Sequence, residues 1–256
     1  MAKTELVVLG SGGFSPADDG REVRNPSGYA LILPSGDSLL LDFGFGNLRQ
    51  YARAGLKIER IKYVLLSHFH LDHWGDLPAL LFVLHYNIKP RGGALTVAGP
   101  AGTEKLIKNL SAATFGYTEP SGYELKIAEL APEQNPPFGD FAVSCFKVNH
   151  TAEALAYRLT VGEKSIAYTG DAKPTSGLAE FCAGADLLIA DAGLANSLPN
   201  KPHMTVSQAC ELARDSRAKL TLLSHLSPNA APEAEAAARE SGGKLVAASD
   251  LLRLRF

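Results

Sequence analysis

The stretch Ser67-His68-Phe69-His70-Leu71-Asp72-His73 places three histidines and one aspartate within six residues. The whole chain of 256 residues has seven histidines, so chance clustering does not explain the pattern. An apolar run over residues 61–66 comes directly before it and predicts a buried strand. Sites in α/β proteins form where loops leave the ends of strands. Imidazole and carboxylate groups at this spacing suit Zn²⁺ or a similar cation, and the stretch therefore predicts a metal site.

Three further ligand-type residues follow later apolar runs: His150, Asp171 and His225. Each is the first side chain able to bind a metal after a predicted strand, although any one of them alone would more often cap a strand or pack in the core. Together with the first cluster they make five histidines and two aspartates. This set is too large for one tetrahedral ion but suits two ions that share a carboxylate. We therefore expect two divalent ions, with Zn²⁺ favoured over Mn²⁺ or Fe²⁺.

Apolar periodicity and turn residues predict alternating short strands and helices along the chain. No Ser/Gly-rich linker or run of charge divides it, so we expect residues 1–256 to form one domain. Both halves carry strands and helices, which predicts an α/β fold with two stacked sheets. The predicted strands cover residues 4–9, 29–33, 38–42, 61–66, 95–98, 141–148, 154–160, 165–169, 187–190 and 220–224. The predicted helices cover residues 47–54, 77–86, 103–113, 178–182, 205–215 and 233–241.

Composition narrows the class of protein. Hydrophobic residues make up 46% and charged residues 20%, which excludes disordered, collagen-like and coiled-coil chains. The 25 basic and 27 acidic side chains give a formal charge of −2, so the total charge provides no broad attraction for nucleic acid. The apolar run over residues 6–9 is too short for a signal peptide, and the run over residues 77–84 is too short to span a bilayer. Three widely spaced cysteines predict no disulfide framework, and we expect a cytoplasmic protein without a membrane segment.

The motif His-x-His-x-Asp-His, followed by a lone histidine, a Gly-Asp pair and a late histidine, resembles the metallo-β-lactamase superfamily. The similarity extends from the loop after the first strand to His225. It implies a four-layer αββα sandwich with two metal ions at one rim. It also implies that Asp42, in an Asp-x-Gly run, steadies the metal-binding loops. The implied ligands are His68, His70 and His150 for the first ion, Asp72, His73 and His225 for the second, and Asp171 as the bridge between them.

The segment His203-Met204-Thr205 narrows the resemblance to the ribonuclease Z branch of phosphodiesterases. Residues 156–159, Ala-Tyr-Arg-Leu, and residues 168–171, Tyr-Thr-Gly-Asp, add to it. In that branch a histidine at the position of His203 faces the scissile phosphate and is backed by an acidic residue at the end of a strand. Here that acid is Asp191, where the branch more often has Glu. Thr205 has the Thr-x-x-Gln spacing of a capping box, which explains it without a catalytic role.

One departure from that branch concerns the substrate. Members that process transfer RNA carry a long basic arm between the Tyr-Arg strand and the Gly-Asp loop. Here the tight turn Val161-Gly162-Glu163-Lys164 joins the two. A small or cyclic phosphodiester is therefore as much an expectation as RNA, and a homodimer is among the expectations too. RNA would need another basic surface, for which the candidates are Lys89, Arg91, Lys105 and Lys108.

The expected chemistry follows from the charges. Two divalent ions a few Å apart lower the pKa of water from about 15.7 toward ~7 and neutralise charge on a phosphate oxygen. We expect Asp72 to accept a proton from that water as well as to bind metal. His203 is the candidate acid for the leaving alkoxide, with Asp191 favouring its imidazolium form. The predicted catalytic residues are therefore Asp72, His203 and Asp191.

Other functions stay open at this point. A hydrolase of lactones, thioesters or sulfate esters on the same fold would use a similar metal site. A non-catalytic nucleic-acid-binding relative would usually have lost metal ligands, and none is missing from the motif. Redox chemistry at a di-iron site would normally need a flavin domain, for which the chain has no room. The loop Gly10-Ser11-Gly12-Gly13 lacks the Gly-x-Gly-x-x-Gly spacing of a dinucleotide site and predicts a tight turn near the metal rim.

Overall fold

Two β-sheets stack face to face and carry helices on both outer faces. The computed structural model describes residues 4–14, 23–86, 93–133, 136, 138–198 and 201–256. Lys89 and Arg91 of the predicted basic surface lie outside the described residues.

The strands in chain order are β1 (Glu5–Gly10), β2 (Gly28–Ile32), β3 (Ser38–Phe43), β4 (Ile61–Leu65), β5 (Ala94–Pro100), β6 (Glu124–Leu130), β7 (Ala142–Lys147), β8 (Leu155–Val161), β9 (Lys164–Tyr168), β10 (Leu187–Asp191), β11 (Leu220–Ser224), β12 (Leu245–Ala247) and β13 (Arg253–Arg255). The helices are α1 (Asn47–Arg53), α2 (Leu71–Trp74), α3 (Leu77–His85), α4 (Thr103–Ala113), α5 (Leu178–Phe181), α6 (Val206–Ser216) and α7 (Ala230–Glu240), with a 3₁₀ turn at Ile58–Arg60.

Both sheets are mixed, and their parallel parts determine where the site forms. The first sheet has the order β13-β1-β2-β3-β4-β5-β6, with β3 to β6 parallel. The second has the order β12-β11-β10-β9-β8-β7, with β9 to β12 parallel. Parallel neighbours present their carboxyl ends at the same edge of a sheet, where loops from several strands meet. Each sheet therefore offers one edge at which loop side chains collect.

The core has three apolar layers, and β3 shows why the sequence builds them. Successive side chains of a strand point to opposite faces of the sheet. Leu39 and Leu41 face the layer between the two sheets, whereas Leu40 faces the helices on the outer side of the first sheet. Phe43 also faces these helices, because the pairing of β2 with β3 shifts register just before it. Every residue of this strand is buried, which explains its continuous apolar run. A third layer lies between the second sheet and α5, α6 and α7.

The predicted α/β fold with two stacked sheets and outer helices is confirmed, with differences at three strands. β6 was not predicted because it is an edge strand whose charged side chains are largely exposed, so it lacks an apolar run. β12 and β13 were not predicted because each has three residues, too few for a periodic pattern. Since β13 pairs with β1, the sheets do not correspond to the two halves of the sequence. That residues 1–256 form one domain stays a prediction.

Membrane insertion by a helix finds no support in the described part of the chain. No helix there has the length and apolar character needed to cross a bilayer.

Candidate metal centre and active site

The predicted site residues lie where strands of both sheets end. The metal motif follows β4, with His68 and His70 in an extended segment and Asp72 and His73 on the one-turn helix α2. The remaining residues follow or end strands of the second sheet: His150 after β7, Asp171 after β9, Asp191 at the last position of β10 and His225 directly after β11. The stacking of the sheets therefore brings separate segments of sequence to one rim.

The structure brings all seven predicted metal ligands together. Their ligand atoms form overlapping groups in which the atoms lie within 4.8 Å of one another. Two of these groups match the two predicted ligand sets, and Asp171 also belongs to a third group, with His203 and His225. The groups are His68, His70, His150 and Asp171; Asp72, His73 and His225; and Asp171, His203 and His225.

Asp171 lies at the centre of the cluster. Its Oδ2 atom is 3.2 Å from His73 Nε2, 3.4 Å from His225 Nε2, 3.5 Å from His150 Nε2 and 3.6 Å from His68 Nε2. One buried carboxylate oxygen thus faces four imidazole nitrogens, which come from three segments: the metal motif after β4, the loop after β7 and the end of β11. A carboxylate in this position is suited to bridge two cations.

The unpaired atoms of the cluster fit a metal. His68 Nε2, His73 Nε2 and both ring nitrogens of His225 are buried and have no hydrogen-bond partner among the described residues. His150 Nε2 and His70 Nδ1 lie 3.1 Å apart, a distance at which two lone pairs repel unless a cation or a proton lies between them. Buried nitrogen atoms of this kind are costly unless they bind something. The nitrogen and oxygen donors suit a borderline divalent cation.

The carboxylate of Asp42 supports the metal motif through several hydrogen bonds. Its Oδ1 accepts from the Ser67 backbone N–H at 2.7 Å, and its Oδ2 accepts from the Ser67 hydroxyl and from His73 Nδ1, both at 2.7 Å. Tyr168 donates its hydroxyl to the same Oδ2 at 2.5 Å. With Nδ1 of His73 engaged in this way, Nε2 is the nitrogen left to face the cluster. Asp42 adopts φ 55°, a left-handed conformation that short polar residues tolerate better than most.

The charges of the cluster are strongly coupled. Burial lowers the pKa of His68 far below its usual 6.5, so this ring is a neutral ligand. Burial also disfavours the charged form of His73, but the charges of Asp171 and Asp42 outweigh it and hold its pKa well above 6.5. For Asp171, the neighbouring rings of His225 and His73 outweigh burial and hold its pKa well below 3.8. The cluster therefore keeps the Asp171 carboxylate ionised at neutral pH.

His203 lies beside the cluster with the predicted acidic partner. Its Nδ1 is 3.0 Å from Asp191 Oδ2 and 3.7 Å from Asp171 Oδ2, and its ring stacks on that of His225 with centroids 4.8 Å apart. Burial lowers the pKa of His203, but the hydrogen bond and charge of Asp191 outweigh it and raise the pKa to about 9. The imidazole is 17% exposed, so one side of it remains open to a ligand.

Backbone groups fix Asp191 in place. Gly193 donates its N–H to Oδ1 at 2.9 Å, and Ala172 donates its N–H to Oδ2 at 3.0 Å. The Asp191 N–H in turn donates to the Thr169 hydroxyl at 3.0 Å. Held in this way, the side chain of Asp191 reaches His203 from the end of β10. The ribonuclease Z branch more often has the longer glutamate at this position.

Several residues that support the site were not predicted from the sequence. Tyr168 and Thr169 stand next to the Gly-Asp pair, and this adjacency was the only signal for their roles. The Pro202 carbonyl, 3.0 Å from His150 Nδ1, gave no signal because its contact depends on the folded loop. The capping box at Thr205 is present: its side chain accepts from the Gln208 N–H, and the Gln208 side chain accepts from the Thr205 N–H. This cap begins α6 two residues after His203.

The connection between β8 and β9 is short. Val161 pairs with Lys164 across an antiparallel ladder, so two residues, Gly162 and Glu163, form the whole turn. The strand that carries Tyr157 and Arg158 is therefore connected to β9, and so to the loop with Gly170 and Asp171, without an inserted arm.

Comparison with known proteins identifies the family. A family model described as a beta-lactamase superfamily domain matches residues 38–226, and the chain belongs to this superfamily. Among curated proteins, ribonuclease Z of Pyrococcus horikoshii is 27% identical over 88% of this chain and 86% of its own length. Ribonuclease Z of Pyrococcus abyssi is 29% identical over the same shares.

Solved structures share the fold over nearly the whole chain. The metallo-beta-lactamase fold protein YhfI of Bacillus subtilis has a TM-score of 0.81 at 24% identity and covers 100% of both chains. The short form of human tRNase Z has a TM-score of 0.76 at 22% identity and covers 98% of both. A diphosphatase of the PhnP family has a TM-score of 0.74 at 22% identity, covering 100% of this chain and 98% of its own.

The comparisons agree with the site geometry. They confirm the predicted metallo-β-lactamase fold and the prediction of a metal-dependent hydrolase of the ribonuclease Z type. They also support binding of divalent metal at the His/Asp cluster.

The support that Asp42 provides leads to a first prediction. We expect Asp42→Asn to weaken divalent metal binding by roughly 10–100-fold, because an amide nitrogen cannot accept the hydrogen bonds that orient His73 and Ser67. Competition with a chromophoric zinc chelator measures this affinity. Asp215→Asn, at an exposed position, is the matched control and should leave it unchanged. Equal affinities for Asp42→Asn and the wild type would show that the metal motif does not depend on this carboxylate.

Proposed function

We propose that the protein is a phosphodiesterase of the ribonuclease Z type that uses two divalent metal ions, with Zn²⁺ preferred. The observation that carries this proposal is the His203–Asp191 pair, 3.0 Å apart, beside the seven-ligand cluster. When bound, divalent cations supply positive charge that neutralises phosphate oxygens and makes water acidic enough to react near neutral pH. A phosphodiester with an alkoxide leaving group also needs a proton donor, and His203 with Asp191 meets that need.

Asp72 is proposed to accept the proton of the attacking water. Burial raises its pKa, but its contact with His225 and the nearby charge of His73 outweigh burial and lower the pKa below the usual 3.8. The side chain is therefore an ionised carboxylate at neutral pH. Its Oδ2 lies 3.6 Å from His225 Nε2, within the second ligand group, so one carboxylate can bind a cation and receive a proton.

His203 is proposed to protonate the leaving oxygen. Because Nδ1 faces Asp191 Oδ2, Nε2 is the nitrogen left to face the substrate. Asp191 stabilises the imidazolium form before the reaction and stays in place through its bonds to Gly193 and Ala172. Asp191 thus acts through His203 and does not itself touch the substrate.

The substrate is proposed to be a small or cyclic phosphodiester. The two-residue turn between β8 and β9 and the formal charge of −2 provide neither an arm nor a broad attraction for transfer RNA. RNA is the second candidate, favoured by the relatives named ribonuclease Z. The three cysteines are free thiols, in keeping with a reducing cytoplasm. Formation of a homodimer stays a prediction.

Metal content gives the next prediction. The protein purified without chelator, or reconstituted with zinc, should hold about two ions per chain, because two ligand groups share Asp171. Elemental analysis against protein concentration measures the ratio. Asp171→Ala should hold about one ion or fewer and lose most activity, since the bridging carboxylate serves both groups. A ratio near zero after reconstitution of the wild type would rule out the site.

Leaving-group dependence tests the role of His203. A nitrophenolate leaves without a proton, whereas an alkoxide does not. We expect His203→Ala to reduce turnover of an alkyl or nucleoside phosphodiester by about 10²–10⁴-fold and to reduce turnover of bis(p-nitrophenyl) phosphate much less. Steady-state kinetics on both substrates, with metal content checked in each preparation, measures the difference. Equal losses on both substrates would contradict proton donation by His203, and so would full activity on both.

The pH profile gives a further prediction. An acid catalyst must carry its proton, so activity on the alkyl phosphodiester should be present below the pKa of His203, which Asp191 raises above 6.5, and fall as pH rises through that pKa. Asp191→Asn removes the charge that raises this pKa, so the fall should begin at lower pH. Profiles of kcat/KM over about pH 7 to 11 measure the shift. An unchanged profile in Asp191→Asn would show that this pair does not control the basic limb.

A further inference from the structure

Three large apolar side chains stand exposed beside the ligand cluster. Phe14 is 74% exposed, Leu71 is 50% exposed and Phe45 is 42% exposed. They come from three separate loops, which follow β1, β4 and β3. A single exposed apolar residue needs no explanation, but several around one polar site mark a surface that contacts a ligand.

Phe45 and Leu71 form one patch over the helix that carries Asp72. Leu71 is the first residue of α2, and Gly75, four positions later, lies on the same face of the turn. A Cβ atom on Gly75 would come within 2.4 Å of the Phe45 ring and 2.9 Å of the Leu71 carbonyl oxygen, so the ring of Phe45 covers this glycine. The apolar patch thus lies directly on the element that presents Asp72.

Phe14 lies on the side of His225. The preceding residue, Gly13, packs against the imidazole, since a Cβ atom there would lie 3.1 Å from His225 Cε1. Gly12 pairs with Leu226, the residue after His225. His225 Nε2 is 3.6 Å from Asp72 Oδ2, so the segment that leads to Phe14 and the helix under the Phe45–Leu71 patch carry or pack against neighbouring residues of the cluster.

The loop that carries Phe14 is anchored at its base. Asp250 Oδ1 accepts from the Ser11 N–H at 3.0 Å and from the Ser11 hydroxyl at 2.8 Å. The Leu226 N–H donates to the Ser11 carbonyl at 2.9 Å. The backbone that leads to Phe14 is therefore held beside His225, as a residue of a binding platform requires.

We propose that Phe14, Phe45 and Leu71 form a platform for the nucleobase of a nucleoside phosphate whose phosphate binds at the cluster. A flat, uncharged ring next to a phosphate is the chemistry that two phenylalanines and a leucine beside a cationic centre recognise. Every nucleobase has a π-face, so such a platform accepts bases without reading their sequence. This proposal rests on the proposed phosphodiesterase function and specifies its substrate class as nucleotide esters, with Phe14 and Phe45 as specificity-determining residues.

Direct binding of two ligands that differ only in the base tests this platform. Calorimetric titration of the zinc-reconstituted protein with adenosine 5′-monophosphate and with ribose 5-phosphate measures affinity without turnover. The wild type should bind the nucleotide about 5- to 150-fold more tightly, the range expected for stacking of one base. Phe14→Ala should bring the two affinities to within about twofold while leaving that for ribose 5-phosphate unchanged.

A matched control and a second variant keep the result clear. Phe115→Ala removes an 89% exposed phenylalanine just beyond the end of α4 and should keep the wild-type preference. Phe45→Ala should reduce the preference as Phe14→Ala does. Equal affinities in the wild type, binding of neither ligand, or a preference unchanged in both variants would overturn the platform. Because no step of the assay depends on hydrolysis, failure of the phosphodiesterase proposal would appear separately, as a lack of turnover with the base preference intact.

Discussion

The crowding of imidazole nitrogens around one buried carboxylate oxygen is the constraint on which the rest of the rim depends. Four histidine rings approach Asp171 Oδ2 within 3.6 Å. Ring nitrogens that carry no proton direct lone pairs at one another and at the carboxylate, and a proton or a metal ion among them removes the repulsion. Two of these rings are held through the nitrogen on their outer side, which leaves the inner nitrogen available to a cation. The bonds of His73 to Asp42 and of His150 to the Pro202 carbonyl do this.

The two sheets are joined by tyrosine hydroxyls beneath this rim. Tyr168, on the second sheet, donates to Asp42 on the first, and Tyr29, on the first sheet, donates to Ser224 on the second at 2.6 Å. Burial is the main reason that the pKa of both tyrosines lies above 10, so they remain neutral donors. Each sheet supplies part of the ligand set, and these bonds set the distance between the parts. Ligand geometry is therefore a property of the sandwich as a whole.

How far the sequence predicts this protein depends on whether a feature is local. The metal motif is contiguous and follows a buried strand, so both the site and its location at a strand end were predictable. The pairing of His203 with Asp191 came only from a family resemblance, because the two residues are twelve positions apart and meet through a folded loop. The role of Thr169 had no pattern of its own, since a hydroxyl at a strand end has many possible partners. Edge strand β6 was not predicted, because its charged, exposed side chains obscure the alternating pattern of a strand.

The bond between Ser11 and Asp250 spans 239 positions of sequence, and β13 pairs with β1 over a similar separation. Contacts this distant close a long loop, and closing it costs conformational entropy. The glycine loop beside His225 is thus fixed only after residues near position 250 have been synthesised and folded onto the first strand. The metal motif itself is complete in sequence by position 73, far earlier in synthesis. The metal motif is therefore synthesised well before His150, Asp171 and His225, and the full set of ligands cannot assemble until residue 225 has been added.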